Sequence, residues 1–195
     1  SLFNASDRGQ IVADTVGLPF AYPVTNAVSG AAENRLATFM LQSISTAAIV
    51  ALILLYLLVC ALRRKKVRDG DVSLLFLLLY GTCQIILDST RYDSLFLRSN
   101  GFVSIVQILV AVAIVTTAVI FSVRMVKARK FHPWQIALWV GMLAGLGCAG
   151  YMEYYVQRHG NEAAFAYSVM SASLLLVILL VLISWALGKK RKVRA

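Results

Sequence analysis

Apolar residues gather in five long blocks along the chain, and the polar residues fall mostly between them. The blocks span roughly Thr38–Leu62, Val72–Ser89, Phe102–Met125, Trp134–Met152 and Ala164–Leu187. Each is near the ~20 residues an α-helix needs to cross ~30 Å of hydrocarbon. The expected fold class is therefore all-α, a polytopic membrane bundle of about five transmembrane helices. Gln84 and Asp88 interrupt the second block, which makes it the least uniform and the most informative. Residues 1–36 form a polar, loop-rich lead-in, in which GLPFAYPV, with two prolines and flanking aromatics, is expected to be extended and to lie at headgroup level.

Composition agrees with the blocks. Of the 195 residues, 59% are hydrophobic and only 14% charged, with a mean hydropathy of +0.76. A soluble domain of this size would need far more polar surface to cover its core.

Charge adds an orientation. Five of the 19 Lys and Arg lie in RRKKVRDGD after the first block, four in RMVKARK after the third, and five in the tail KKRKVRA. If the blocks alternate, these clusters share one side, which predicts an outer N-terminus and a cytoplasmic C-terminus. The net charge of +10 abuts membrane ends, so anionic headgroups are its expected partners and nucleic acid is not.

Cys60, Cys83 and Cys148 sit in or at the ends of apolar blocks and read as packing residues. His132 and His159 fall in opposite loops, and no metal spacing, Walker loop or dinucleotide fingerprint occurs, so neither metal nor cofactor is expected. No signal peptide is expected near Ser1. In the fourth block Gly141 and Gly145 form a small-xxx-small pair suited to close helix packing.

The sharpest feature is YGTCQIILDSTRYDSLFLR, residues 80–98. Tyr80, Gln84, Asp88 and Arg91 are spaced by four, four and three. At 100° per residue they fall within about 80° on one helical stripe. A carboxylate at the centre of a spanning helix costs roughly 2.5–3.5 kcal/mol, less near its end, so this stripe should turn from lipid toward other helices or a wet cavity. Two readings stay open on residue types. The stripe is a buried seam joining helices, with Asp88 and Arg91 pairing locally, or it is a site where Arg91 and Arg98 meet an anionic headgroup.

The order of landmarks resembles the bacterial prolipoprotein diacylglyceryl transferase family. Tyr80-Gly81, Gln84, Asp88 and Arg91 are similar to that family's Tyr-Gly, Arg, Glu, Arg helix. GLPFAYPV resembles its Leu-Pro-Trp-Ala segment, and RLATFMLQ (Arg35 to Gln42) resembles its Arg-His-Pro-Ser-Gln-Leu-Tyr-Glu motif. FVSIVQIL, with Gln107, resembles its Ser-x-Gln segment. The resemblance covers about residues 1–125. It implies a three-helix transferase-like core over 37–125, followed by two additional helices with a basic tail over 126–195.

The resemblance also implies a reaction that moves diacylglyceryl from phosphatidylglycerol to the lipobox cysteine of a preprolipoprotein. In that reading Tyr80, Asp88 and Arg91 are catalytic, with Tyr80 lining the lipid cavity. Gln84, Arg35, Gln107 and Arg98 bind substrate, and the partners are phosphatidylglycerol, membrane lipids and preprolipoprotein signal peptides. A fixed cation opposite the departing phosphate would stabilise charge that grows in the transition state.

The chain also departs from the family. Gln84 stands where the family has an Arg, Leu36 and Ala37 replace its His-Pro pair, and Gln42 replaces its Glu. The family's amino-terminal helices and their His have no counterpart in this sequence. Two alternatives to the transferase are carried for these reasons: a non-catalytic lipid-binding or scaffold subunit, and an unrelated membrane protein such as a transporter half. No internal repeat supports the last.

Overall fold

A computed structural model of the protein describes residues 21–25, 30–91, 103–158 and 163–189. The described chain opens with an antiparallel hairpin, β1 (Ala21–Thr25) and β2 (Ala32–Leu36). Five helices follow: α1 (Thr38–Leu62), α2 (Asp71–Ser89), α3 (Ile105–Arg129), α4 (Trp134–Arg158) and α5 (Ala163–Leu187). All five are long and apolar enough to cross a membrane. The protein is thus a multi-pass membrane protein, as the blocks imply.

Helices are the form such sequences take because every backbone polar group in hydrocarbon must find its partner within the segment. Large apolar side chains then face outward without penalty. Leu52, Leu54, Leu55, Leu58 and Leu62 of α1 and Leu109, Val112 and Val119 of α3 are all exposed on the bundle surface, where lipid tails would meet them.

The core lies between α2, α3, α4 and α5. Leu78, Ile114, Phe121, Met170, Val177 and Val181 are fully or almost fully buried within one continuous apolar cluster. Glycines let the helices approach. A Cβ on Gly145 would stand 2.6 Å from Val177 Cγ2, and one on Gly141 would stand 2.8 Å from Leu180 Cδ1. The small-xxx-small pair therefore seats α4 on α5. Gly81 does the same for α2 on α3, since its Cβ would lie 3.1 Å from Val110 Cγ1.

α5 is the hub, touching α2, α3 and α4, whereas α4 packs chiefly on α5. Between α3 and α4 runs an apolar cleft of about 470 Å³, floored by Val177 and bordered by Trp139 and Met142.

The two ends of the bundle differ. Where α1 ends and α2 begins, Asp71 accepts from Arg124 of α3 at 2.7 Å and from the Trp185 indole of α5 at 2.8 Å. This ion pair ties three helices together at the basic end. At the other end, α2 finishes at Ser89 and α3 starts. The hairpin leads into α1 at this same end, with Tyr22 meeting Phe39 edge-on at 5.9 Å between ring centroids. The expected extended character of AYPV is thus realised as β1, while the rest of GLPF lies outside the described residues.

Candidate functional site

The polar stripe is organised around the start of α3. Ser104 is the N-cap: its hydroxyl accepts from the Gln107 backbone N–H at 3.0 Å, and the Gln107 side-chain oxygen accepts from the Ser104 N–H at 3.0 Å. This reciprocal capping box satisfies two donors that a helix start otherwise leaves open. The Ser104 hydroxyl in turn donates to the Asp88 carboxylate, and the Gln107 amide donates to the Ile85 carbonyl at 3.3 Å. Both links run from α3 back to the last two turns of α2.

Asp88 is only 3% exposed, so its carboxylate sits in low-dielectric surroundings beside the positive end of the α3 dipole. That placement and the hydroxyl donor offset part of the cost of burying the charge.

Gln84, one turn before Asp88, is 7% exposed. Its side-chain oxygen has no hydrogen-bond partner among the described residues. A buried acceptor in that condition costs free energy, about 1–3 kcal/mol, unless a donor reaches it. Tyr80, a further turn back, is half-buried and stacked on Phe76, with 5.3 Å between ring centroids.

Arg91 lies just past the α2 cap at Thr90, and its backbone N–H donates to the Asp88 carbonyl at 3.2 Å. It therefore lies just beyond the last helical residue, Ser89. Nearby, the Tyr167 hydroxyl of α5 donates to the Ser89 carbonyl at 3.2 Å, fastening the end of α2 to α5.

The structure thus brings Asp88 and Gln107 together through Ser104, with Gln84 and Tyr80 on the same helix. Arg35 sits on β2 opposite Tyr22, half-buried, shortly before α1 begins at Thr38. Arg98 lies outside the described residues. Two participants were not anticipated. Ser104 was readable, because Ser-x-x-Gln before an apolar run is a helix-start signature. Tyr167 was not, since nothing in the sequence connects it to a residue 78 positions earlier.

The model of the prolipoprotein diacylglyceryl transferase family matches residues 9–123, which spans the hairpin, α1, α2 and most of α3. The chain belongs to that family. No curated protein and no solved structure matches it. The family is one of transferases that act on lipids and lipoproteins, and Tyr80, Gln84, Asp88, Arg91 and Gln107 all fall inside the matched segment. α4 and α5 lie beyond it, so the residue that fastens α2 through Tyr167 comes from outside the family segment.

Proposed function

We propose that this membrane protein binds phosphatidylglycerol at the Asp88 end of α2 and transfers its diacylglyceryl group to a lipobox cysteine. The single observation that carries the reading is the concentration of buried polar side chains, Gln84, Asp88 and Gln107, at one end of two spanning helices within the family segment. Buried polar groups in a membrane bundle are costly and mark functional sites by default. The orphan oxygen of Gln84 suits a hydroxyl donor such as the glycerol of a headgroup. Tyr80 would line the acyl path, and Asp88 and Arg91 would orient groups beside the phosphate. Arg35, Gln107 and Arg98 would complete the substrate contacts.

In the reaction, the cysteine thiolate attacks the glyceryl carbon that carries the phosphate. A sulfur–carbon bond forms, the carbon–oxygen bond breaks, and glycerol phosphate leaves with the electron pair. Arg91 would face the departing oxygens, where a fixed cation in partly dry surroundings lowers the barrier. The setting would be the bacterial cytoplasmic membrane, and the second substrate a preprolipoprotein signal peptide.

A second reading, a lipid-binding scaffold without catalysis, is favoured by two features. Gln84 carries no charge where the family has Arg, and Asp88 is engaged in fastening the start of α3. Labelled phosphatidylglycerol and a lipobox peptide separate the two readings. Transfer that falls about 10–100-fold in Arg91→Ala supports the enzyme. Lipid retention without transfer, coupled with failure to complement a strain depleted of its own diacylglyceryl transferase, supports the scaffold. Parent-level lipid retention and transfer in Arg91→Ala would remove Arg91 from either site.

A further inference from the structure

At the opposite end of α2 lies an open-mouthed cavity of about 880 Å³, lined by α1, α2, α3, the end of α5 and the loop that joins α1 to α2. Seven cations line it against one carboxylate, Asp71. That carboxylate is already spent, one oxygen on Arg124 and the other on Trp185. Among the described residues, none of the five loop cations, Arg63, Arg64, Lys65, Lys66 and Arg68, has a carboxylate within ion-pair distance.

Three further details go beyond what a topology signal requires. First, α1 ends in a Schellman turn, with Arg64 N–H on the Ala61 carbonyl at 3.0 Å and Lys65 N–H on the Cys60 carbonyl at 2.8 Å. Its left-handed position, φ +48°, is held by Arg64 where glycine would sit without strain. A side chain kept at a strained position points to a use for it.

Second, the Lys189 ammonium stands 3.6 Å from the centroid of the Trp185 ring and 5.3 Å from that of Tyr56. It is drawn over aromatic faces at the cavity wall, and burial pushes its pKa below the usual lysine value despite the pull of Asp71. An anion placed beside it would offset that penalty. Third, aromatic residues Tyr56, Phe121 and Trp185 share the lining with the cations, so the cavity joins a charged mouth to an apolar wall. Orientation in a membrane needs only solvated positive charge in a loop; it needs neither a cavity nor a strained arginine.

We propose that this basic cavity is a binding site for a phosphate-bearing anion, with the headgroup of an acidic phospholipid as its occupant. Guanidinium and ammonium groups bind phosphate oxygens by charge-assisted hydrogen bonds, and basic pockets between spanning helices take acidic headgroups. The volume is in the range of small-molecule sites. The site is separate from the Asp88 stripe: Asp71 and Asp88 are 17 residues apart on one helix, about 25 Å along its axis.

The test uses the full chain in phosphatidylcholine nanodiscs, with Trp134→Phe and Trp139→Phe leaving Trp185 as the sole indole. Dihexanoyl phosphatidylglycerol, inorganic phosphate and dihexanoyl phosphatidylcholine are titrated in separate arms while Trp185 emission is followed. The acidic lipid is expected to give a saturable change, and Arg64→Gly to weaken it roughly tenfold. Arg64→Gly suits the turn it occupies, so loss of folding does not explain that result. Saturation by the lipid alone supports a membrane-borne occupant; equal saturation by inorganic phosphate supports the anion site with a water-borne one. An equal response to phosphatidylcholine, no response to either anion, or an unchanged Arg64→Gly titration overturns the proposal. Trp185 reports only this end, so this assignment and the transferase reading fail independently.

Discussion

The Ser104 hydroxyl donates to the Asp88 carboxylate, so the cap of α3 and the last turn of α2 share one buried hydrogen bond. Ser104→Ala removes the cap and strips a donor from a buried carboxylate. It is expected to lower stability by about 2 kcal/mol, whereas Ser104→Thr keeps the hydroxyl and most of the stability. Thermal unfolding in detergent measures both. A parent-like midpoint for the alanine variant would mean that the bond contributes nothing net.

Helix contact through Gly145 yields a second expectation. Its added Cβ would meet Val177 at 2.6 Å and the Ser173 carbonyl oxygen at 3.2 Å, and a backbone atom cannot swing aside. Gly145→Ala should therefore destabilise by about 1–3 kcal/mol. Gly147 has nothing within 4 Å of its added Cβ, so Gly147→Ala should be neutral or gain up to about 1 kcal/mol from helix propensity. The pair, compared by midpoint in one detergent, separates packing from propensity.

Asp71 holds Arg124 and Trp185 at once and is 2% exposed. Asp71→Ala leaves both donors without their acceptor, and a loss of about 2–3 kcal/mol is expected. Asp71→Asn retains an oxygen for one donor and should lose less. Near-ultraviolet circular dichroism would register the released Trp185, and an unchanged aromatic spectrum in Asp71→Ala would contradict the link.

Gln84 offers a trade of function against stability. Gln84→Leu replaces a buried acceptor lacking a described partner with an apolar group of similar size. Stability should hold or rise by about 1 kcal/mol, while phosphatidylglycerol retention falls. Retention equal to the parent would assign Gln84 to packing alone.

Much of the architecture was legible because hydropathy reports membrane crossing directly. The limits Thr38 and Leu62 of α1, Ser89 of α2, Trp134 of α4 and Leu187 of α5 coincide with the apolar blocks. The other limits moved for physical reasons. α3 continues to Arg129 and α4 to Arg158, past Met125 and Met152, because hydrogen-bonded backbone extends beyond the hydrocarbon limit and long basic side chains remain solvated there. α3 starts at Ile105 rather than Phe102 because Ser104 caps it.

The hairpin was hidden because β2 reads AENRL, with no alternating apolar face to mark a strand. At the candidate site, spacing gathered Tyr80, Gln84 and Asp88 on one helix, with Arg91 just past its cap at Thr90. The Asp71–Arg124–Trp185 cluster joins residues 53 and 114 positions apart. Such a contact is set by tertiary packing, and local pattern contains no trace of it.

The dependence of α4 on α5 bears on how the molecule is made. Until α5 is in place, α4 lacks its principal neighbour. Glu153 of α4, 3% exposed in the finished bundle, owes that burial to the assembled state. A chain interrupted between α4 and α5 would therefore present a spanning helix stripped of its main contact surface.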